Sequence, residues 1–310
     1  NFHATDFSTK GNEPFYNLVS EQFRIQPPVQ KYIDQTNQGR KVLLFSDSRQ
    51  RAALLAKDLT EAADEEAMRK ALTMAVNELQ NWAKVRDEQP KLNYLYWAFV
   101  KIAYEHKLNF FYGEDAKWLE RDIETISNKK TIKYNKLSED SSRPQKYDEH
   151  LLRQLCSNFR SLTDAGLCWI EPYIDEDEEE AIEIEKELLK NKIFISIDEF
   201  KQMFASWAMK VMVSYYALDA NIRDTSRKHI ATYSGHRFGL AEDEIMPSSM
   251  EKLLKEIKNL VDDKQIEAIC KILKKYLKPQ QGRNNRYYLN INKLIICFDE
   301  KHDWYKCSRC

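Results

Sequence analysis

The 310 residues are enough for two or three domains. With 48 basic and 49 acidic side chains the formal net charge is −1, so overall charge gives no support for nucleic-acid binding and only local patches can provide it. Charged residues make up 31% of the chain and glycines number only seven, a composition that favours a helix-rich fold.

The sequence lacks the signals of a membrane or secreted protein. No apolar run approaches the ~20 residues of a membrane span, and no signal peptide is visible. Cys156, Cys168 and Cys270 lie in apolar patterns and are predicted to be buried core thiols. We therefore predict a cytoplasmic protein without a disulfide framework and without a membrane partner. We also expect a fragment of a longer chain, because the sequence begins at Asn1 without Met and ends at Cys310 inside a C-x-x-C pattern.

Residues 1–40 are predicted to be a linker laid over a neighbouring domain. Gly11, Pro14, Pro27-Pro28 and Gly39 punctuate this segment, with one short helical pattern near Phe15 to Phe23.

The next stretch, KVLLFSDSRQ at 41–50, predicts a strand followed by a turn. Val42 to Phe45 form a short apolar run that is typical of a buried strand in a parallel sheet. Apolar residues then recur at helical spacing from Ala52 to Leu59, so a helix leaves the carboxyl end of the strand. In α/β folds ligands bind at that end, and the free N–H groups of a helix start attract phosphate.

This stretch resembles a helicase motif. KVLLFSDSRQRAALLAKDL is similar to motif IV of the second RecA-like domain of superfamily 2 helicases, especially the large bacterial DEAD/DEAH-type proteins found in anti-phage defence islands. GNEPFYNLVSEQFRIQPP before it and DEEAMRKAL after it are also similar to that group, so the resemblance runs from Gly11 to Leu79. It implies that residues 41–62 begin a RecA-like domain and that a large insertion follows. An unrelated α/β enzyme with a strand, turn and helix is the alternative.

The resemblance further implies that the turn after the strand contacts the backbone of DNA or RNA. Ser46 and Ser48 would donate hydroxyl hydrogen bonds to phosphates, although Ser48 is equally suited to capping the helix. Arg49 is the candidate for a charged phosphate contact, and Gln50 lies beside it. Asp47 only accepts hydrogen bonds and is expected to hold the turn.

Residues 63–240 are predicted to form a helical insertion. Apolar periodicity indicates helices at 64–83 and 198–218, and the aromatic residues between 94 and 112 are assigned to a helical core in preference to base stacking. A short apolar strand is predicted over Leu167 to Ile170. The acidic run at 175–187 is predicted to be a solvated loop and first helical turn that points away from any nucleic acid. The segment after 222 is basic and predicted to be irregular.

Residues 241–296 suggest a module similar to a winged helix. Helices predicted to start at Ser248 and Asp262 precede a predicted hairpin of two short strands, Tyr287 to Leu289 and Leu294 to Ile296. Basic side chains cluster on the second helix and the approach to the hairpin: Lys271, Lys274, Lys275, Lys278, Arg283 and Arg286. Such a patch suits electrostatic binding to phosphates, and a solvated lysine-rich face is the equally weighted alternative.

The last residues, 297–310, are predicted to be half of a zinc ribbon. Cys307 and Cys310 form a C-x-x-C, the spacing of two tetrahedral zinc ligands, and Cys297 is a weaker third candidate. Two ligands do not complete a site, so zinc is expected only where further cysteines follow in the intact protein.

The chemistry of a helicase motor is missing from these residues. No glycine has the spacing of the phosphate loop G-x-x-x-x-G-K-[ST], and Asp64-Glu65-Glu66-Ala67 lies in a helical pattern instead of following a buried strand. ATP and Mg²⁺ are therefore expected in the parent protein only, and no catalytic residue is predicted here. We predict a mostly α (α+β) fragment of an ATP-dependent helicase that positions DNA or RNA. The alternative is a non-catalytic helical scaffold that docks other defence-system proteins.

Overall fold

The computed structural model describes residues 13–33, 36–41, 49–139, 142–157, 161–174, 179–231, 237–258, 262–280 and 286–298. The predicted mostly helical α+β class is confirmed, with helices throughout and two small antiparallel sheets. The chain divides into two compact units, Asn1–Met68 and Arg69–Cys310.

The first described element of the first unit is helix α1, Glu13–Ile25, where the helical pattern was predicted. Two short 3-10 turns follow, Gln30–Tyr32 and Thr36–Gly39. They are tied together because the Val29 N–H donates to the carbonyl of Gln38 over 3.0 Å. The strand predicted at 42–45 lies outside the described residues, so the RecA-like start stays a prediction.

Helix α2 runs without a break over Arg49–Arg86, where two separate helices were predicted. The physical reason is composition: these 38 residues contain neither Gly nor Pro and are rich in alanine, leucine and long polar side chains that favour helix. Asp64-Glu65-Glu66-Ala67 lies inside this helix, as predicted. The domain boundary proposed at 62/63 also falls within it, and the domain organisation stays a prediction.

The second unit contains nine further helices among the described residues. They are α3 Leu95–Glu105, α4 Gly113–Ser127, α5 Tyr134–Leu137, α6 Gln145–Cys156, α7 Glu179–Lys190, α8 Ile197–Tyr215, α9 Asp224–Ile230, α10 Ser248–Lys258 and α11 Asp263–Lys274. Short 3-10 turns lie at Leu92–Tyr94, Glu242–Glu244 and Ile291–Lys293. Helix α9 occupies part of the basic segment that was predicted to be irregular.

Aromatic rings fill the core around α3, as predicted. Tyr96 and Tyr147 meet edge to face with centroids 4.9 Å apart, and Phe99 lies 5.2 Å from the same Tyr147 ring. Such pairs add about 0.5–1.5 kcal/mol each to the burial of apolar area. Tyr104 and Tyr112 are exceptions in this stretch, because they are 45% and 81% exposed.

The strands pair differently from the predicted hairpin. Strand β1, Cys168–Pro172, pairs antiparallel with β4, Leu294–Phe298, and packs on α8. Strand β2, Leu277–Pro279, pairs antiparallel with β3, Tyr287–Leu289. The two strands assigned to a hairpin therefore form, but they belong to different sheets. The reason is that β4 aligns its buried Ile296 with Ile170 of β1, a long-range match of apolar faces.

Arg227 of α9 is fully buried and holds the turn between α8 and α9. Its guanidinium donates to the main-chain carbonyls of Tyr216, Leu218, Asp219 and Ile222. It also lies 4.2 Å from the ring centroid of Tyr288 in β3, close enough for a cation–π contact. A single side chain thus satisfies four carbonyls that no helix or sheet pairs.

We expect Arg227→Met to lower the free energy of unfolding by about 3 kcal/mol or more, because it leaves several buried carbonyls without a donor. Urea denaturation followed by circular dichroism measures the change. Lys228→Met is the matched control, since Lys228 is exposed on the same helix. Equal stability of the two variants would contradict the role assigned to Arg227.

The pH dependence of stability should contain a contribution from His150 in α6. Burial, with a smaller effect of the nearby Lys146, lowers the pKa of His150 to about 4. The unfolded chain takes up a proton near pH 6.5 and the folded protein does not, so this contribution is present above pH 6.5 and is lost as the pH falls towards 4. We expect the loss to reach about 3 kcal/mol, to disappear in His150→Gln and to persist in His106→Gln, an exposed control. Unfolding curves at several pH values test this, and identical profiles for all three proteins would refute it.

Candidate nucleic-acid interface

The predicted basic patch lies on helix α11. Asp262 caps this helix, since its side chain accepts a hydrogen bond from the Lys264 N–H over 3.0 Å. Apolar residues at helical spacing are buried: Ile266, Ile269, Ile272 and Leu273. The lysines of α11 lie on the other side of the helix, where they reach solvent.

An acidic helix packs beside these lysines. Helix α7 buries Ile184 and Leu188 and presents Glu183 and Glu187 at its margin. Lys271 Nζ lies 3.4 Å from Glu187 Oε1, and Lys275 Nζ lies 3.1 Å from Glu183 Oε2. Glu183 and Glu187 are four residues apart on α7. Lys271 in α11 and Lys275 at its C-cap are also four residues apart, so the two pairs match in register.

Two further described cations of the patch are also paired. Lys274 pairs with Glu242, and Arg286 Nη1 donates to Glu244 Oε2 over 2.7 Å. Lys278 is exposed, with no ion pair to the described part of the chain. Arg283 lies outside the described residues.

These contacts shift the pKa values of two of the carboxylates. The hydrogen bond from Lys271 lowers the pKa of Glu187, and the hydrogen bonds from Lys274 and Tyr287 lower the pKa of Glu242. The same contact with Glu242 raises the pKa of Lys274. Both partners of the Lys274–Glu242 pair therefore stay charged at neutral pH.

This arrangement corrects one expectation and shows which residues the sequence analysis missed. The acidic run was expected to point away from any nucleic acid, but Glu183 and Glu187 lie against the lysines of the predicted patch. The reason is that burying the apolar faces of α7 and α11 against the core brings their polar margins together. The matched spacing of four residues in both helices was the available signal.

The structure does not describe the side chains of the other residues predicted to contact nucleic acid. Ser46 and Ser48 lie outside the described residues. Arg49 and Gln50 begin α2, and their side chains lie outside the described part of the chain.

The zinc prediction gains no support from Cys297. Cys307 and Cys310 lie outside the described residues. Cys297 lies in β4, where burial and the adjacent Glu171 raise the pKa of its thiol and so disfavour the thiolate that zinc requires. Across the residues that can be described, no group of three or more His, Cys, Asp or Glu side chains has the arrangement of a metal site. Zinc binding by Cys307 and Cys310 stays a prediction.

Comparison with known proteins gives one informative match. The chain is similar to the Druantia protein DruE of Escherichia coli (strain UMEA 4076-1). The two are 27% identical over 319 aligned residues, which cover 98% of this chain and 16% of that protein. No family model matches the sequence, and no solved structure matches it. In the described ranges, no helix combines the length and apolar character needed to cross a bilayer.

If the lysines of α11 contact phosphates, the neighbouring glutamates must weaken that contact. We expect Glu183→Gln/Glu187→Gln to raise the affinity for a DNA duplex by roughly tenfold at low salt, because two repulsive charges are removed and Lys271 and Lys275 are released. Fluorescence anisotropy with labelled DNA measures the effect.

The matched control is Glu120→Gln/Glu124→Gln, which makes the same change in net charge on exposed positions of α4. A rise of equal size in both double variants would show a general charge effect, and would remove the reason to place DNA at α11.

Proposed function

We propose that the chain is a nucleic-acid-positioning segment of an ATP-dependent helicase or translocase that acts in anti-phage defence. The observation that carries the proposal is the similarity to DruE, an anti-phage defence protein, which extends over 98% of this chain. The resemblance of residues 11–79 to the motif IV region of superfamily 2 helicases supports the motor part of the proposal.

ATP hydrolysis would be carried out by other parts of the parent protein. The chain has no phosphate loop, and it spans only 16% of the length of DruE. ATP and Mg²⁺ would therefore bind elsewhere in the parent, and Cys307 with Cys310 would supply two of the four ligands of a zinc ion there. This chain would hold DNA or RNA against the motor.

The surface of α11 is compatible with that role although its lysines are paired. Ion pairs between exposed side chains are weak, and a phosphate backbone offers a denser line of negative charge than single glutamates. Nucleic acid would exchange the glutamate partners of Lys271 and Lys275 for phosphates. Lys278 adds a cation that has no ion pair to the described residues.

A scaffold that binds other defence-system proteins is the second candidate, and the ion pairs favour it. Each of Lys271, Lys274 and Lys275 already has a glutamate partner, so the positive potential of the patch is reduced. A surface with both signs of charge suits the polar rim of a protein interface. Both candidates place the protein in the cytoplasm, and the free thiols of Cys156 and Cys168 agree with a reducing compartment.

Salt-dependent binding separates the two candidates. We expect Lys271/Lys274/Lys275→Ala to weaken DNA binding and to reduce the slope of log K against log salt by about 2–3, since each lost phosphate contact contributes about 0.9. The measurement is a salt titration of binding to single- and double-stranded DNA.

The control for this experiment is Lys84/Lys129/Lys130→Ala, which removes three exposed lysines far from α11 in sequence. Binding that is absent at low salt, or a slope that neither triple variant changes, would favour the scaffold.

A further inference from the structure

A polar cleft of about 600 Å³ opens where α4, α6 and α9 begin. Its volume is within the range of about 300–1,000 Å³ that holds small ligands in proteins. Its lining includes Tyr112 and Trp118 from the start of α4, Arg143 ahead of α6, and Arg223 and Ser226 at α9. All of these residues belong to the second unit, and none of them contributes to the α11 surface.

The charged side chains in the deeper wall of the cleft already have hydrogen-bond partners within the protein. Arg143 is buried and donates to the carboxylates of Asp148 and Asp219. Asp115 accepts hydrogen bonds from the main-chain N–H groups of Gln145 over 3.2 Å and Lys146 over 3.3 Å. These groups hold the walls in place and leave no carboxylate oxygen of Asp115 without a donor.

Three donor groups in the same cleft have no such partner. Trp118 Nε1 and Ser226 Oγ are buried and have no hydrogen-bond partner among the described residues. Ser226 lines the cleft and is only 1% exposed. Arg223 is exposed and forms no ion pair with the described residues. Its carbonyl accepts the Ser226 N–H over 3.1 Å, so both side chains leave the same turn.

Buried donors without a hydrogen-bond partner are informative because buried polar groups in folded proteins almost always have one. An indole N–H and a guanidinium only donate, and a hydroxyl can donate. The occupant that satisfies all three is an acceptor-rich anion. A flat aromatic ring, the 81% exposed Tyr112, stands at the rim and offers a stacking face.

We propose that this cleft binds a nucleoside monophosphate unit, either as a free nucleotide or as one nucleotide of a single strand. Its phosphate would accept hydrogen bonds from Arg223 and Ser226, and its base would stack on Tyr112. Trp118 Nε1 would donate to a further oxygen of the nucleotide. The site is separate from the α11 surface, and the two are tested independently.

The test uses calorimetric titration of the full chain with AMP, with a short oligothymidylate and with inorganic phosphate. We expect AMP to bind and both Ser226→Ala and Arg223→Gln to weaken its binding by about tenfold or more. Lys228→Gln, which removes one exposed positive charge from the same helix, should leave the affinity unchanged. Ser226→Ala should also leave the melting temperature of the ligand-free protein unchanged or raised, because it removes a buried hydroxyl that has no partner.

Each result either shows whether the nucleotide is free or part of a strand, or overturns the proposal. Competition between oligothymidylate and AMP identifies a nucleotide of a strand, and AMP binding without competition identifies a free nucleotide. Phosphate binding as tightly as AMP overturns the nucleotide assignment, because the base then contributes nothing. No binding of AMP or oligothymidylate, or binding that Ser226→Ala and Arg223→Gln do not weaken, overturns the site. Oligothymidylate binding that depends only on the α11 lysines, together with no binding of AMP, would overturn the cleft and leave the proposed function standing.

Discussion

The turn between α8 and α9 is fixed from inside the protein by two arginine side chains, and several elements depend on it. Arg227 donates to four main-chain carbonyls of the turn, and one of them belongs to Asp219, at 2.7 Å. The carboxylate of Asp219 accepts from Arg143. The N–H of the same residue donates to the carbonyl of Leu289 in β3 over 3.1 Å. Asp219 thus joins the segment ahead of α6, helix α9 and strand β3. Only a guanidinium has enough donors in a rigid plane to hold it this way.

The same constraint shapes the cleft at the start of α4, α6 and α9. Arg143 is directed inward to Asp148 and Asp219, so its charge is compensated within the wall. The next basic residue in the cleft, Arg223, stays on the exposed rim beside the buried hydroxyl of Ser226. A wall whose charges are satisfied internally, with unsatisfied donors in front of it, is the arrangement on which the proposed nucleotide site rests.

Charges on the surface are compensated differently from charges in the interior. Lysines and glutamates on α7, α11 and the turn at Glu242–Glu244 alternate in sign and compensate each other pair by pair. Charges on this face of the second unit therefore balance locally, as they do over the whole sequence, whose formal net charge is −1. Exposed pairs of this kind stabilise the fold little and exchange partners readily. They are consistent with a surface that meets a charged partner.

The sequence by itself determined the local structure, because helix formation depends on residues three and four positions apart. The helical class, the seams of α2 and α8, the buried strand at Cys168 and the helical setting of Asp64 were all readable from spacing. The role of Arg227 could not be read from the sequence, because its charge in a basic stretch indicates exposure. Only the fold places four carbonyls around it. Likewise β3 and β4 were found as strands, but their partners at 277–279 and 168–172 are set by matching apolar faces across the fold. The pairing of α11 lysines with α7 glutamates was decided in the same way, since packing two apolar helix faces against one core brings distant polar residues into contact.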